Sequence, residues 1–332
     1  MTALAKVAPR VELETESSFA ADVIAGLTST PKRLPPKYFY DSIGSHLFER
    51  ITTLPEYYPT RSELQILREN AASIAALLPA GGALVEFGSG ASTKVRILMD
   101  AAPHVAAYVP VDISAEYLLE IATELRRAYP NIAVLPVAAD FSAPFELPAS
   151  IAALPRAGFF PGSTIGNLEP HEAASFLRNI GNSLGRDAVL IIGVDLMKDP
   201  AVLHDAYNDA QGVTAQFNLN LLARINRELG AKFDLDLFEH HAFYNRERHR
   251  IEMHLASVKR QKVKVCGECI EFRAGETIHT ENSYKYTIES FGGLARGSGW
   301  TPVAAWTDAQ KYFSVHALVF KPDGARPRMS VE

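Results

Sequence analysis

The sequence has little cysteine, no basic run and no long apolar run, and each shortage excludes a class of protein. Two cysteines among 332 residues exclude a disulfide framework. The formal net charge is −5 without clustered Lys or Arg, which argues against nucleic acid or an anionic membrane as a partner. The longest apolar runs reach about half of the ~20 residues that a membrane-spanning helix needs. The N-terminal stretch lacks the apolar segment of a signal peptide, so we expect a cytoplasmic protein.

The two cysteines form a C-x-x-C pair, Cys266 and Cys269, which is half of a zinc site. No second pair and no suitably spaced histidine pair follows it. The residues around it alternate on both sides of a Gly-Glu turn, as in a β-hairpin. The ten histidines are scattered. The neighbours His240 and His241 point to opposite faces if they lie on a strand. We therefore predict a hairpin here and no metal site.

The middle of the chain alternates short apolar segments with helical ones. Each apolar segment ends in polar or glycine residues, and this rhythm predicts a doubly wound, mostly parallel α/β sheet covered by helices on both faces. The predicted strands are ALVEFGSG, AAYVPVDIS, IAVLPVAADF, AGFFPGSTIGN and AVLIIGVDL. A closing strand pair, TPVAAWT and YFSVHALVF, predicts an antiparallel last strand.

The length and the change of pattern along the chain predict more than one structural part. Residues 1–80 form an N-terminal helical segment in this interpretation. Residues 81–198 and 285–332 form the sheet domain, and residues 199–284 form an inserted α+β domain that binds the substrate. Its predicted antiparallel strands include HHAFYN and HRIEMHLASVK.

The glycine loop in LVEFGSGASTK raises the question of its ligand. A phosphate-binding loop of the G-x-x-x-x-G-K-[ST] type is excluded by the spacing, and Thr93 replaces the third glycine of a dinucleotide fingerprint. A nicotinamide dehydrogenase is disfavoured for that reason. S-adenosylmethionine needs close backbone approach and an acid after the next strand, and Asp112 is that acid. Asp140, with Phe141 beside it, closes the third strand, although both acids could instead be helix N-caps.

Several longer blocks carry a family resemblance. They are LPPKYFYDSIGSHLFERITTLPEYYPTR, LVEFGSGASTK, GSTIGN, YNDAQGVTAQFNLNLLARINREL, RIEMHL and TENSYKY. With these blocks the chain resembles the histidine Nα-methyltransferases of ergothioneine biosynthesis, from about Ala21 to the last strand. Methyltransferases that act on tryptophan derivatives share this family. The resemblance implies a class I (Rossmann-like) methyltransferase fold.

The resemblance also implies roles for individual residues. Those that would contact S-adenosylmethionine are Gly88, Gly90, Lys94, Asp112, Asp140 and Phe141. The substrate residues would be Tyr57, Asn167 and Tyr207 at the carboxylate and amino group, Tyr40 near the amine, Glu281 and Ser283 at the imidazole, and Met253 along the side chain. Tyr40, Tyr57 and Phe217 are also candidate aromatic walls for a quaternary ammonium product.

The resulting expectation is a monomeric enzyme that trimethylates the α-amino group of L-histidine to histidine betaine (hercynine). S-adenosylmethionine would be the methyl donor and S-adenosylhomocysteine the released product. Two alternatives stay open. One is methylation of tryptophan, tyrosine or a derivative, and the other is a protein that binds S-adenosylmethionine without catalysis.

Overall fold

The computed structural model describes residues 16–90, 93–141, 143 and 145–322. Residues 1–15 of the predicted N-terminal segment, residues 323–332 of the predicted sheet domain and part of the glycine loop lie outside this range. The described chain divides into two compact units. The first comprises residues 62–197 and 286–322, and the second comprises residues 16–61 and 198–285. None of the described helices is long and apolar enough to cross a membrane.

The helices and strands of the described residues are numbered along the chain. The α-helices are α1 Glu16–Thr28, α2 Ser42–Thr52, α3 Tyr58–Ala75, α4 Thr93–Ala101, α5 Ala115–Ala128, α6 Pro170–Leu184, α7 Pro200–Tyr207, α8 Val213–Leu229 and α9 Ile288–Gly297. The strands are β1 Lys32–Arg33, β2 Ala83–Phe87, β3 Ala107–Asp112, β4 Ala133–Val134, β5 Val137–Ala138, β6 Arg156–Phe160, β7 Val189–Asp195, β8 Phe238–Asn245, β9 Arg250–Ser257, β10 Gln261–Val265, β11 Glu268–Phe272, β12 Thr277–Tyr284, β13 Trp300–Thr307 and β14 Phe313–Phe320. Short 3-10 helices cover Pro36–Phe39, Ala149–Ile151, Thr164–Asn167 and Leu235–Leu237.

The first unit contains an eight-stranded sheet in the order β13-β14-β7-β6-β2-β3-β4, with β5 also beside β3. The strands from β4 to β7 are parallel, and β14 runs antiparallel to both β7 and β13. The predicted mostly parallel sheet with an antiparallel last strand is therefore confirmed. The carboxyl ends of its parallel strands form the edge where ligands of such sheets bind.

Helices cover both faces of this sheet because its strands are apolar on both sides. On one face, buried residues of α3, α4 and α5 such as Ile66, Leu98 and Leu125 pack with strand residues such as Tyr108. On the other face, Phe176 of α6 contacts the rings of Phe87, Phe141 and Phe160.

The third predicted strand, IAVLPVAADF, is not continuous. The structure divides it into the two-residue strands β4 and β5, and Pro136 lies between them. Proline has no N–H to donate to a strand ladder, and this interruption occurs at the edge of the sheet, where it is tolerated.

The second unit contains a four-stranded sheet in the order β1-β12-β9-β8. Strands β8, β9 and β12 are antiparallel neighbours, and β1 pairs with β12 in parallel. Helix α8 lies against this sheet, and its buried Asn218 donates to the His254 carbonyl and accepts from Thr280. The sequence predicted β8 and β9, whereas β1 and β12 were not predicted.

The predicted hairpin around the cysteines is confirmed as β10 and β11. Its turn is one residue earlier than the Gly-Glu turn that we expected. Cys266 and Gly267 form the turn with positive φ angles of 48° and 89°, and Glu268 already pairs with Val265. Both cysteines are exposed, and they are not joined in a disulfide bond.

Candidate active site

The glycine loop follows β2 at the carboxyl edge of the sheet in the first unit. Gly88 has a φ of +72°, and a Cβ at this position would lie 3.5 Å from the Phe141 ring. The Gly88 amide donates to the Val111 carbonyl at 2.8 Å, and the Gly90 amide faces an Asp112 carboxylate oxygen at 3.4 Å. These contacts bring Gly88, Gly90, Asp112 and Phe141 together at one edge of the sheet.

Asp112 ends β3 with its carboxylate directed towards backbone amides. It accepts from the Ser114 amide at 3.0 Å, and burial raises the pKa of the Asp112 carboxyl against the lowering effect of the amides around it. A Cβ built on Gly90 meets no described atom within 4 Å. The predicted contact of Asp112 with the ribose of S-adenosylmethionine stays a prediction.

Asp140 and Phe141 follow β5 and are both half-buried. Phe141 lies edge-on to Phe160 at 5.7 Å and to Phe176 at 5.9 Å, so its position is fixed by the ring cluster under α6. One ring edge faces Gly88. The predicted contacts of Asp140 and Phe141 with an adenine ring stay predictions.

Glu63 was missed by the sequence interpretation. Its carboxylate is fully buried, accepts from the Gly162 amide with both oxygens at 3.0 and 2.9 Å, and pairs with the Lys94 ammonium at 2.6 Å. The Gly162 turn follows β6 and leads to Asn167, the last residue of a 3-10 helix. Lys94 therefore lies at the predicted edge of the sheet, and the partner that the structure gives it is Glu63.

Glu86, on β2, is a second buried acid that the sequence interpretation did not single out. It accepts a short hydrogen bond from the Tyr108 hydroxyl, and burial raises the pKa of Glu86 to about 8. Lys94 opposes that rise, but less strongly than burial promotes it. Glu86 is therefore largely a neutral acid at pH 7.

Aromatic side chains cluster in the second unit. Tyr40 contacts the rings of Phe48 and Phe217, and Tyr57 contacts Phe48 at 6.2 Å and Tyr207 at 6.5 Å. Phe48 was missed, although the family blocks include it. The arrangement brings the predicted residues Tyr40, Tyr57 and Tyr207 into one connected group of rings.

The predicted ring-binding residues lie on β12, where Glu281 is directly opposite the buried Met253 of β9. Without the family, Glu281 and Ser283 would be placed before a helix, with Ser283 as its N-cap. That placement is wrong, because helix α9 begins only at Ile288. Burial raises the pKa of the Glu281 carboxyl to about 7, and Lys285 opposes that rise.

Lys285 completes a polar group that the sequence interpretation missed. Its ammonium is buried and donates to the Ser283 hydroxyl at 2.7 Å and to the Tyr207 hydroxyl at 3.2 Å. The Tyr207 hydroxyl donates to Ser283 at 2.7 Å. Strand periodicity could have revealed Lys285, because Glu281, Ser283 and Lys285 follow one another at every second position.

A cluster with metal-ligand chemistry lies elsewhere on the same sheet. Glu252, His254 and His279 each bring one ligand atom within 4.8 Å of the others. One Glu252 oxygen, however, accepts from Arg250 at 2.8 Å and from Asn245 at 2.9 Å. The guanidinium already supplies the positive charge that this carboxylate needs, so we assign no metal to the cluster.

Similar proteins point to one chemistry. The sequence profile of the family described as "Histidine-specific methyltransferase, SAM-dependent" matches residues 19–320. A histidine N-alpha-methyltransferase of Mycobacterium tuberculosis is 44% identical over 296 residues, which are 86% of this chain and 90% of that protein. Ergothioneine biosynthesis protein 1 of Neurospora crassa is 31% identical over 98% of this chain and 36% of its own length. A 4-dimethylallyltryptophan N-methyltransferase of Aspergillus fumigatus is 30% identical over 88% of this chain and 91% of its own length.

Proposed function

We propose that this chain, which belongs to the family of S-adenosylmethionine-dependent, histidine-specific methyltransferases, trimethylates the α-amino group of L-histidine. The product is histidine betaine (hercynine), and the name of the Neurospora crassa relative supports a place in ergothioneine biosynthesis. The observation that carries the proposal is the pair Glu281 and Ser283 on one buried strand. This pair offers a carboxylate acceptor and a hydroxyl to an imidazole ring.

S-adenosylmethionine supplies a methyl group bonded to a positively charged sulfur. In each of three rounds the substrate amine loses a proton, its lone pair forms the N–C bond, and the S–C bond breaks to leave S-adenosylhomocysteine. The chain's own task is to hold a neutral amine in line, which makes positioning the main catalytic contribution. No covalent intermediate with the protein is needed.

In the first unit, we assign the methyl donor to residues at the carboxyl edge of the sheet. Asp112 would accept from the ribose hydroxyls, Asp140 from the adenine amino group, and Phe141 would lie against the base. Gly88 and Gly90 would allow close backbone approach, and Lys94 would contribute at the same edge. The support is the shared location of the loop, Asp112 and Phe141.

We assign the amino acid to a separate set of residues. Tyr57, Asn167 and Tyr207 would hold its carboxylate and amino group, and Tyr40 would lie near the amine. Met253 would line the side chain beside Glu281. The connected rings around Tyr40 and Tyr57 would stabilise the cationic product by about 0.5–2 kcal/mol per ring.

A tryptophan derivative is the second candidate for the methyl acceptor, and one observation supports it. The Aspergillus fumigatus relative is named for a tryptophan derivative and matches 88% of this chain. Ser283 argues against an indole substrate more strongly than Glu281 does. Indole has an N–H to donate to the Glu281 carboxylate, but it has no ring lone pair to accept from the Ser283 hydroxyl. Histidine satisfies both groups.

The test is a competition assay with purified protein, S-adenosylmethionine and equimolar L-histidine, L-tryptophan and L-tyrosine, followed by mass spectrometry. We expect histidine to gain three methyl groups while the other two remain unchanged. Methylation of tryptophan or tyrosine in place of histidine would overturn the proposed acceptor, and cofactor binding without any turnover would overturn the enzymatic assignment.

The variant Glu281→Leu and the matched control Glu239→Leu sharpen this test. Glu239 is an exposed acid of the same unit on β8. We expect the first variant to lower kcat/KM for histidine by roughly two orders of magnitude or more, because a buried hydrogen-bond partner is lost. The control variant should keep the wild-type value, and equal losses in both variants would contradict the assigned role.

The finer expectations on the protein's setting stay predictions. A monomer should elute from a size-exclusion column near 36.3 kDa, the mass of one chain. A cytoplasmic location also stays a prediction.

A further inference from the structure

We infer that Lys285 is a positioning residue of the histidine site, and that it commits the Ser283 hydroxyl to donate towards the substrate ring. The inference rests on the proposed function, because it assigns a hydrogen-bond direction within that same site. All the groups involved belong to the second unit, and their contacts with one another define the direction.

The Ser283 hydroxyl oxygen has two lone pairs and one proton. The Lys285 ammonium occupies one lone pair at 2.7 Å, and the Tyr207 hydroxyl occupies the other at 2.7 Å. An ammonium has no lone pair, so its hydrogen bond can only be donated. The Lys285 ammonium also donates to the Tyr207 oxygen at 3.2 Å.

The direction of the bond between Tyr207 and Ser283 follows from their chemistry. A phenol is the stronger acid and the weaker acceptor of the two hydroxyls, so Tyr207 donates and Ser283 accepts. With both lone pairs occupied, the Ser283 proton is the part of the hydroxyl that is left for a ligand. Ser283 is therefore a donor to the substrate.

A donor at Ser283 and an acceptor at Glu281 together select one form of the substrate. Neutral imidazole carries one ring N–H and one ring lone pair, and it satisfies both residues. Imidazolium and indole lack the lone pair, so each leaves the buried Ser283 proton without a partner. A buried donor left without a partner lowers kcat/KM far more than the loss of one methylene group from a substrate does.

Charge acts in the same direction. Lys285 lowers the pKa of Glu281 against the larger effect of burial, which favours the ionised carboxylate that accepts a ring N–H. Tyr207 on α7 and Tyr244 on β8 are titratable groups that also lie near the Lys285 ammonium. Glu281 is the carboxyl group whose pKa this ammonium lowers.

The test compares Lys285→Met, Ser283→Ala and the double variant with wild-type protein. Lys285→Met keeps the side-chain length and removes the donor. We expect each single variant to raise KM for histidine about tenfold or more with a smaller change in kcat. The double variant should be no worse than Ser283→Ala, because Lys285 acts through Ser283. Losses that multiply in the double variant would overturn the inference.

A second measurement uses wild-type protein and does not depend on the folding of any variant. 2-Pyrrolylalanine and 3-pyrrolylalanine keep a ring N–H but lack the in-plane ring lone pair of imidazole. We expect wild-type kcat/KM for them to be at least about a hundredfold below that for histidine. Equal use of both ring types by wild-type protein would overturn the inference.

One control variant and the activity of wild-type protein keep the outcomes distinct. Lys259→Met removes an exposed lysine of the same unit and should leave KM, kcat and the substrate ratio unchanged. If wild-type protein fails to methylate histidine at all, the proposed function fails. If wild-type protein methylates histidine and a folded Lys285→Met variant keeps its KM, only the role of Lys285 is refuted.

Discussion

Replacing Glu86 by glutamine should stabilise the first unit, and increasingly so as the pH rises. The carboxyl is buried between β2 and β3 with a pKa raised to about 8, whereas an unfolded glutamate titrates near 4.5. The folded state thus retains a proton that the unfolded state releases. The stability that this group contributes is complete below pH 4.5 and declines as the pH rises towards 8.

The size of the effect follows from the two pKa values. Each pH unit in that window costs the wild-type protein about 1.4 kcal/mol of unfolding free energy, so raising the pH from 5 to 7 costs roughly 2–3 kcal/mol. Glutamine has no charge to bury and still accepts from the Tyr108 hydroxyl. The unfolding free energy of Glu86→Gln should therefore exceed that of wild type at pH 7, by an amount that shrinks towards pH 5.

Urea unfolding at pH 5, 6, 7 and 8 measures this difference. Both tryptophans of the chain, Trp300 and Trp306, lie on β13 of the first unit, so their fluorescence reports the unit that contains Glu86. The exposed Glu120→Gln serves as the matched control and should follow the wild-type pH profile. A constant difference between Glu86→Gln and wild type from pH 5 to 8 would refute a protonated Glu86.

Three further predictions concern the two units. Asp112→Asn should raise the dissociation constant for S-adenosylmethionine at least about tenfold by calorimetry, because the ribose acceptor loses its charge; an unchanged constant would remove Asp112 from the cofactor site. Glu63→Gln should lower the unfolding free energy by about 3–5 kcal/mol, because the Lys94 ammonium loses its ion-pair partner. An unchanged midpoint of urea unfolding would contradict this prediction. Cys266→Ser with Cys269→Ser should leave methylation rates unchanged with and without EDTA, and a chelator-sensitive loss in wild type alone would revive a metal at the hairpin.

The sheet of the first unit could be predicted because its physics is local. Each strand is an apolar run of strand length that ends in glycine or polar residues, and helices with an apolar face follow. The exception is the interruption at Pro136, which depends on where the strand lies in the sheet. A proline there reads as part of an apolar run, and only the position of the strand at the sheet edge permits the interruption.

The charged interior of the first unit could not be predicted in this way. Glu63 lies in the middle of an exposed-looking segment, YPTRSELQ, and its partners Lys94 and Gly162 are 31 and 99 residues away. A buried ion pair of this kind has no periodic signature, because each partner looks like an ordinary surface residue until the fold brings the two together.

Strand β12 was not predicted for the opposite reason. The polar residues that give it a function interrupt the hydrophobic pattern by which a strand is recognised. TIHTENSY contains polar residues on the face that an ordinary strand would fill with apolar ones. Glu281 and Ser283 take such positions. Ser283 has the hydrogen-bond partners that burial demands in Tyr207 and Lys285, and the Lys285 charge acts on Glu281. Polar side chains at every second position, without apolar neighbours to explain them, therefore predict a buried binding strand, and this pattern alone would have pointed to Lys285 as well.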